Sequence, residues 1–321
     1  MFHTTHTVRL LSRELLTKME NRNILTRIKE ENMTTDKTNQ TIKLKDGRTL
    51  GYTEYGAPQG KPVFFFHGWI GSRLDFRPND AIARSLGARV IAIDRPGCGL
   101  SDFKPRRTIL DWPDDVAELA DGLRIKQFAV SGHSFGGPYV AACAYKIPDR
   151  LTAAGIVAGI GPLNRPGATK GLPTLPRLGL WLAGHAPLLL TKPYVWQMVW
   201  LTHHPKILWK GLSSQLPKAE VEMLSRPEFA GFLDGVSEMF RSGNYGATWD
   251  ARAFTRPWEF RVEDIRMKVH LWYGEADKNV PLQMGEYYAY AIPECDFKFY
   301  PGEGHFIFYS RAEEILRTLT S

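Results

Sequence analysis

Short runs of consecutive apolar residues recur along the chain. Each is followed by a polar turn and then by a segment whose apolar positions repeat with helical spacing. Pro62–Phe66, Arg89–Ile93, Phe128–Ser131, Leu151–Ile160, Lys268–Tyr273 and Asp296–Tyr300 are such runs. A strand apolar at nearly every position is buried on both faces. Ahead of them, Thr41–Lys45 and Arg48–Tyr55 alternate around Asp46-Gly47, which predicts a hairpin. Helices are expected over Pro78–Leu86, Pro138–Lys146, Pro281–Ala291 and Phe306–Leu319. A further helix, capped by Asp111, places Val116, Leu119, Ala120 and Leu123 on one face. The alternation predicts an α/β chain: a mostly parallel, doubly wound sheet of about eight strands.

Two segments break the pattern. From Pro162 to Arg252 no strand run occurs, prolines are frequent, and five of the nine tryptophans cluster: Trp181, Trp196, Trp200, Trp209 and Trp249. The spacing of Tyr194, Met198 and Leu201 is helical. A helical cap over residues 162–252 is therefore expected. It interrupts a core made of residues 41–161 and 253–321, and lies over the carboxyl edge where such sheets bind ligands. Residues 1–40 lack glycine and proline, and Leu10, Leu11, Leu15, Leu16 and Met19 form one helical stripe. Three readings stand for this extension: a docking helix, an organelle-targeting sequence, or a flexible lead before a start at Met33.

Composition narrows the class. The chain has 321 residues, 43% apolar and 12% aromatic, enough for a large core. Its net charge of +7 is scattered, with no block that marks a nucleic-acid surface. Cys98, Cys143 and Cys295 have neither zinc nor redox spacing, so a reducing, cytoplasmic setting is expected. No run reaches the length of a membrane span.

The candidate chemistry sits at the ends of the apolar runs. Gly132-His133-Ser134-Phe135-Gly136 joins a strand to a helix, the setting in which a G-x-S-x-G pattern forms a strained turn with serine at its tip. Gly132 and Gly136 fall where a Cβ would crowd that turn, and Ala141, Ala142 and Ala144 let the helix approach the sheet. Other runs end at His67-Gly68-Trp69, at Asp94-Arg-Pro-Gly-Cys-Gly-Leu-Ser, at the loop containing Asp277 and at the loop containing His305. A parallel sheet brings these ends to one edge. Serine, aspartate and histidine then follow in that order. His133 is expected to point away from the site, and His67 to support the loop of Trp69. Asp250, Asp264 and Glu303 are weaker candidates for the acid, and His203-His204 lack further ligands for a metal.

The chain thus resembles the α/β-hydrolase superfamily, in its cap-bearing esterase, lactonase and C–C hydrolase branch, over Thr41 to Ser321. The stretch from Asp94 to Ser101 looks like the family's D-x-x-G-x-G-x-S. The resemblance implies Ser134 as nucleophile, His305 as base and Asp277 as its orienting acid. It implies an oxyanion hole from the backbone N–H groups of Trp69 and Phe135, with His67, Gly68, Gly132, Gly136 and Asp94 in support, and neither cofactor nor metal. Serine at the turn, where dehalogenases and epoxide hydrolases of this fold carry aspartate, implies an acyl-enzyme. Hydrolysis of a carboxylic ester or lactone follows, on a small substrate with an apolar acyl or aryl group. C–C bond hydrolysis, cofactor-free haloperoxidase chemistry and aminopeptidase activity remain alternatives. For the last, Glu220, Glu222 or Glu238 would grip the amino terminus. So does a low-turnover small-molecule-binding protein on the same fold.

Overall fold

Six of the apolar runs become parallel strands of one sheet. The computed structural model describes residues 37–165, 168, 187–214 and 216–321. Its strands are β1 (Gln40–Lys43), β2 (Thr49–Gly56), β3 (Lys61–Phe66), β4 (Ala88–Ile93), β5 (Phe128–His133), β6 (Leu151–Val157), β7 (Val269–Gly274) and β8 (Cys295–Tyr300). They lie in the order β1-β2-β4-β3-β5-β6-β7-β8. Only β1–β2 and β2–β4 pair antiparallel. The carboxyl ends of β3 to β8 therefore open on one edge.

Alternate residues of the central strands feed opposite layers, which is why the runs are continuously apolar. Phe64 and Phe66 pack with Ile91, Phe128 and Val130 beneath helices Trp112–Gly122 and Gly137–Lys146. Val63 and Phe65 pack with Val90, Ala92 and Ala129 beneath helices Asp80–Ser85 and Ala312–Leu319. Asn39–Ser321 form one compact unit. The stripe expected at Leu10–Met19 lies outside the described residues.

Several boundaries differ from expectation for local reasons. The run Leu151–Ile160 stops pairing at Val157, because Ala158 turns the chain at φ 46°. The helix expected at Pro78 begins as a 3-10 turn at Arg73 and becomes α-helical only over Asp80–Ser85. Asp111 does not cap the Trp112 helix with its side chain. Its carboxylate accepts instead from the Thr108 N–H at 2.7 Å, closing the preceding turn. The last expected helix is two, Ile307–Ser310 and Ala312–Leu319.

Between β6 and β7 the described elements are helical: Pro187–Thr202, Pro205–Ser213, Lys218–Leu224, Phe232–Met239 and Tyr245–Thr255. The last runs past Arg252, the expected end of the insertion. Met198, Leu208, Val236, Met239 and Ala247 make a small core that closes on Cys98, at the sheet edge. The insertion tryptophans do not act as one lining. Trp196 and Trp200 are exposed, and Trp249 donates to the Arg107 carbonyl at 3.0 Å. Trp181 lies outside the described residues. No described helix is long and apolar enough to cross a membrane.

A buried ionic cluster ties insertion to core. Asp250, on the Tyr245–Thr255 helix, accepts from Arg95 Nε at 2.9 Å, Arg107 Nη2 at 2.6 Å and the Tyr139 hydroxyl at 3.1 Å. All four side chains are buried. Burial alone would raise the Asp250 pKa; Arg107 and Arg95 outweigh it and hold the carboxyl below its ordinary value. Removing one partner of a buried ion pair strands the other charge in a poor solvent, at about 3–5 kcal/mol. Asp250→Ala should lower the unfolding free energy by about that amount in a urea titration. Asp250→Asn, which keeps the shape and loses the charge, should fall between this variant and the wild type.

Candidate active site

The turn after β5 is built by backbone contact. A Cβ on Gly132 would stand 2.4 Å from the Gly136 carbonyl oxygen, and one on Gly136 would stand 2.2 Å from that of Phe66. Both distances are below any contact a real Cβ makes, so these positions admit only glycine. Gly137 likewise abuts the Gly159 Cα, at 2.9 Å from its own missing Cβ. Held this way, Ser134 adopts φ 56°. Its carbonyl accepts from the Ile160 N–H at 3.1 Å, fixing the turn to the end of β6. Left-handed backbone is uncommon outside glycine and costs roughly 1–3 kcal/mol. Ile70 at φ 60° and Ala158 at φ 46° share this state at the ends of β3 and β6. Three strained residues therefore gather along one edge.

His305 and Asp277 meet there. His305 Nδ1 lies 2.8 Å from Asp277 Oδ2. The other oxygen of Asp277 accepts from the backbone N–H groups of Asn279 at 2.7 Å and Val280 at 2.9 Å. An acceptor-only carboxylate on Nδ1 places the proton on that nitrogen and leaves the Nε2 lone pair free. Burial works to lower the His305 pKa. The charge and hydrogen bond of Asp277, with the charge of Glu220, outweigh it and raise the value above the ordinary 6.5. Among the described residues, no hydrogen bond links the Ser134 hydroxyl to His305. The two are joined instead through the neighbour of Ser134: the His133 Nε2–H donates to the His305 carbonyl at 2.9 Å, with ring centroids 4.8 Å apart.

His133 thus corrects the expectation that it points away. It is buried beneath the histidine loop. Burial and the charge of His305 push its pKa down to about 3, so it stays neutral and keeps its donor role.

The loop after β3 closes the other side. A methyl on Gly68 would stand 3.4 Å from the Ser134 Cβ, so this loop lies directly against the serine. Its carbonyls are gripped from behind. Arg95 Nη1 donates to the His67 carbonyl, and Arg95 Nη2 donates to that of Gly68 at 3.0 Å. The His67 ring supports the same loop, as expected. The Arg95 N–H donates to Nε2 at 3.3 Å, so Nδ1 carries the proton and donates to the Gly68 carbonyl at 2.9 Å. In a trans peptide the N–H points opposite to the C=O. The Gly68 carbonyl faces Arg95, so the Trp69 N–H is turned to the other side of the loop. The Trp69 indole donates to the Ala247 carbonyl of the insertion at 3.1 Å, and its ring lies 5.9 Å from that of Phe135.

Asp94 accepts from the N–H groups of Arg73 at 2.8 Å and Leu100 at 2.9 Å and pairs with the Arg73 guanidinium. It shapes the loop after β4. The weaker acid candidates are engaged elsewhere: Asp250 with two arginines, Glu303 with Arg311 and Ser310, while Asp264 is exposed. His203 and His204 bond to carbonyls of their own helix.

Two residues were not legible as site components. Arg95 looked like one letter of a loop motif; its signal was a charge at the end of a buried strand. Glu220, considered only as a grip for an amino terminus, reaches from the Lys218–Leu224 helix onto the histidine loop. Its Oε1 accepts from the Phe306 N–H at 2.5 Å, and Gly304 leaves room for its carboxyl. Burial raises the Glu220 pKa.

The family model described as the alpha/beta hydrolase family matches residues 63–318. Among curated relatives, a non-heme chloroperoxidase of Streptomyces lividans is 35% identical over 125 residues, 38% of this chain and 45% of that protein. A bifunctional esterase/perhydrolase of Acinetobacter calcoaceticus is 32% identical over 124 residues, 38% of this chain and 45% of that protein. These matches span less than half the length of either relative. Among solved structures, a bromoperoxidase from Bacillus anthracis superposes with a TM-score of 0.66 at 20% identity, covering 88% of this chain and 98% of that one. An enol-lactonase from Burkholderia xenovorans LB400 gives 0.62 at 17%, covering 87% and 97%. At such identities these structures speak for the fold alone, and it is the model match over most of the chain that makes this protein a member of the alpha/beta hydrolase family.

Proposed function

We propose that the protein is a serine hydrolase that cleaves a carboxylic ester or lactone through an acyl-serine, with Ser134, His305 and Asp277 as its triad. The observation that carries this reading is the His305–Asp277 bond, which leaves Nε2 free at the same sheet edge as a serine held in a strained turn. In the first half-reaction the Ser134 oxygen bonds to the substrate carbonyl carbon and its proton passes to His305 Nε2. The resulting oxyanion is met by the N–H groups of Trp69 and Phe135. Collapse breaks the bond to the leaving alkoxide, which takes the proton from His305. Water then repeats the sequence on the acyl-serine, and Ser134 is regenerated. Asp277 holds the ring in its tautomer and stabilises the charged imidazolium. The insertion between β6 and β7 serves as a cap that bounds the acyl side of the pocket, which suits a small apolar acyl or aryl group.

The names of the relatives favour a second reading of the same site. A bifunctional esterase/perhydrolase is among them. Hydrogen peroxide in place of water at the second step would release a peracid. Peracid formation from a short carboxylic acid and peroxide, lost in Ser134→Ala, would support it.

Fluorophosphonate labelling separates an enzyme from a binding protein on this fold. Rapid modification at Ser134 is expected; an unreactive serine would leave only binding. Ser134→Ala should lower p-nitrophenyl ester turnover by about 10⁴-fold or more, and a variant with wild-type turnover would refute the triad.

The base must be neutral to accept a proton, so kcat/KM should fall as pH drops through the His305 pKa. That pKa is raised, so the acid limb should bend above 6.5. Asp277→Asn removes the charge that raises it. Its limb should move to lower pH, with kcat down roughly 10⁴-fold. A limb that stays in place would remove Asp277 from the assignment.

A further inference from the structure

Among the described residues, helices Pro187–Thr202 and Pro205–Ser213 carry large apolar side chains that stand exposed. Trp196 is 72% exposed, Trp200 52% and Ile207 50%. Trp196 and Trp200 are four residues apart and share a helix face. The Trp200 ring stacks on His204 at 4.0 Å, just ahead of the second helix, and Ile207 stands exposed in the first turn of that helix. Met198 and Leu208, on the opposite side, are buried in the insertion's core. Each helix is thus seated on that core by a buried residue, and neither tryptophan belongs to it.

The stretch of chain that forms these helices carries charge of one sign. Between Asp149 and Glu220 the chain has no acidic residue, while Lys206, Lys210 and Lys218 fall within it. Lys206 and Lys210 are exposed on the same helix as Ile207. The whole chain carries +7.

We propose that these exposed side chains dock the protein on an anionic phospholipid surface, with the two helices lying in the headgroup plane. Indole rings favour that layer because one edge is apolar and the N–H is polar. Exposed apolar residues beside lysines, with no acid among them, are the pattern of interfacial helices. The lysines gain from the negative surface potential. A protein partner fits less well, because the core of such an interface is depleted of lysine, whereas headgroup phosphates pair with it. The helices lie on the membrane and do not cross it: Pro187–Thr202 has 16 residues, against about 20 for a span. This docking does not depend on the chemistry assigned to Ser134.

The test is cosedimentation of the full chain with vesicles of phosphatidylcholine alone and of phosphatidylcholine mixed with phosphatidylglycerol. Binding to the mixed vesicles only, weakened by added salt, is expected. W196A/W200A and K206E/K210E should each lower the partition coefficient by about tenfold or more, with an unchanged thermal midpoint. Failure to bind mixed vesicles, or equal binding by wild type and W196A/W200A, would overturn the proposal. So would a concentration-dependent dimer that W196A/W200A abolishes in the absence of vesicle binding, since these side chains would then form an interface between copies.

Discussion

Backbone against backbone, with no side chain between, is the constraint on which the site depends. The turn at Ser134 exists because Gly132 meets the Gly136 carbonyl and Gly136 meets the end of β3. Two strands and a helix start are thereby locked at contact distance. The strained φ of Ser134 is a consequence: with the chain pinned on both sides, the residue at the tip has no relaxed conformation available. Every other candidate group is positioned relative to that fixed point. The loop of Gly68 rests on the serine, and the histidine loop rests on His133.

Charges around this frame act mainly through the backbone. Arg95 spends two of its nitrogens on carbonyls of the His67-Gly68 loop and a third on Asp250. Asp94 spends one oxygen on the turn at Arg73, after β3, and the other on the loop after β4. Asp277 gives one oxygen to its own turn and one to His305. In each case a buried charge is satisfied by groups that also fix the direction of a loop. Desolvation is thereby offset and geometry set by the same bonds.

Much of this was legible in the sequence. Continuous apolar runs specify strands covered on both faces, and a G-x-S-x-G pattern between strand and helix specifies the turn. Both follow from steric rules that act locally. The meeting of Asp277 and His305 could be expected because parallel strands share a carboxyl edge. The roles of Arg95, His133 and Glu220 could not, because they depend on contacts between residues 28 to 172 positions apart. A buried arginine and an exposed one have the same letter. His133 shows the limit most directly. As the variable residue of its motif it carried no pattern, and only the packing of the β8 loop above it gives its nitrogen a partner.

The bonds of Glu220, Asp250 and the Ala247 carbonyl have a consequence for how the chain can change over time. Each belongs to the insertion, and each ends on a loop of the core: the histidine loop, Arg95 behind the Gly68 carbonyl, and the Trp69 indole. The insertion is therefore also a structural strut for the loops that hold the candidate site. Transplanting a foreign insertion onto this core would delete three braces at once. Divergence here has to proceed residue by residue around those anchors, because wholesale exchange would loosen the very groups whose alignment the sheet provides.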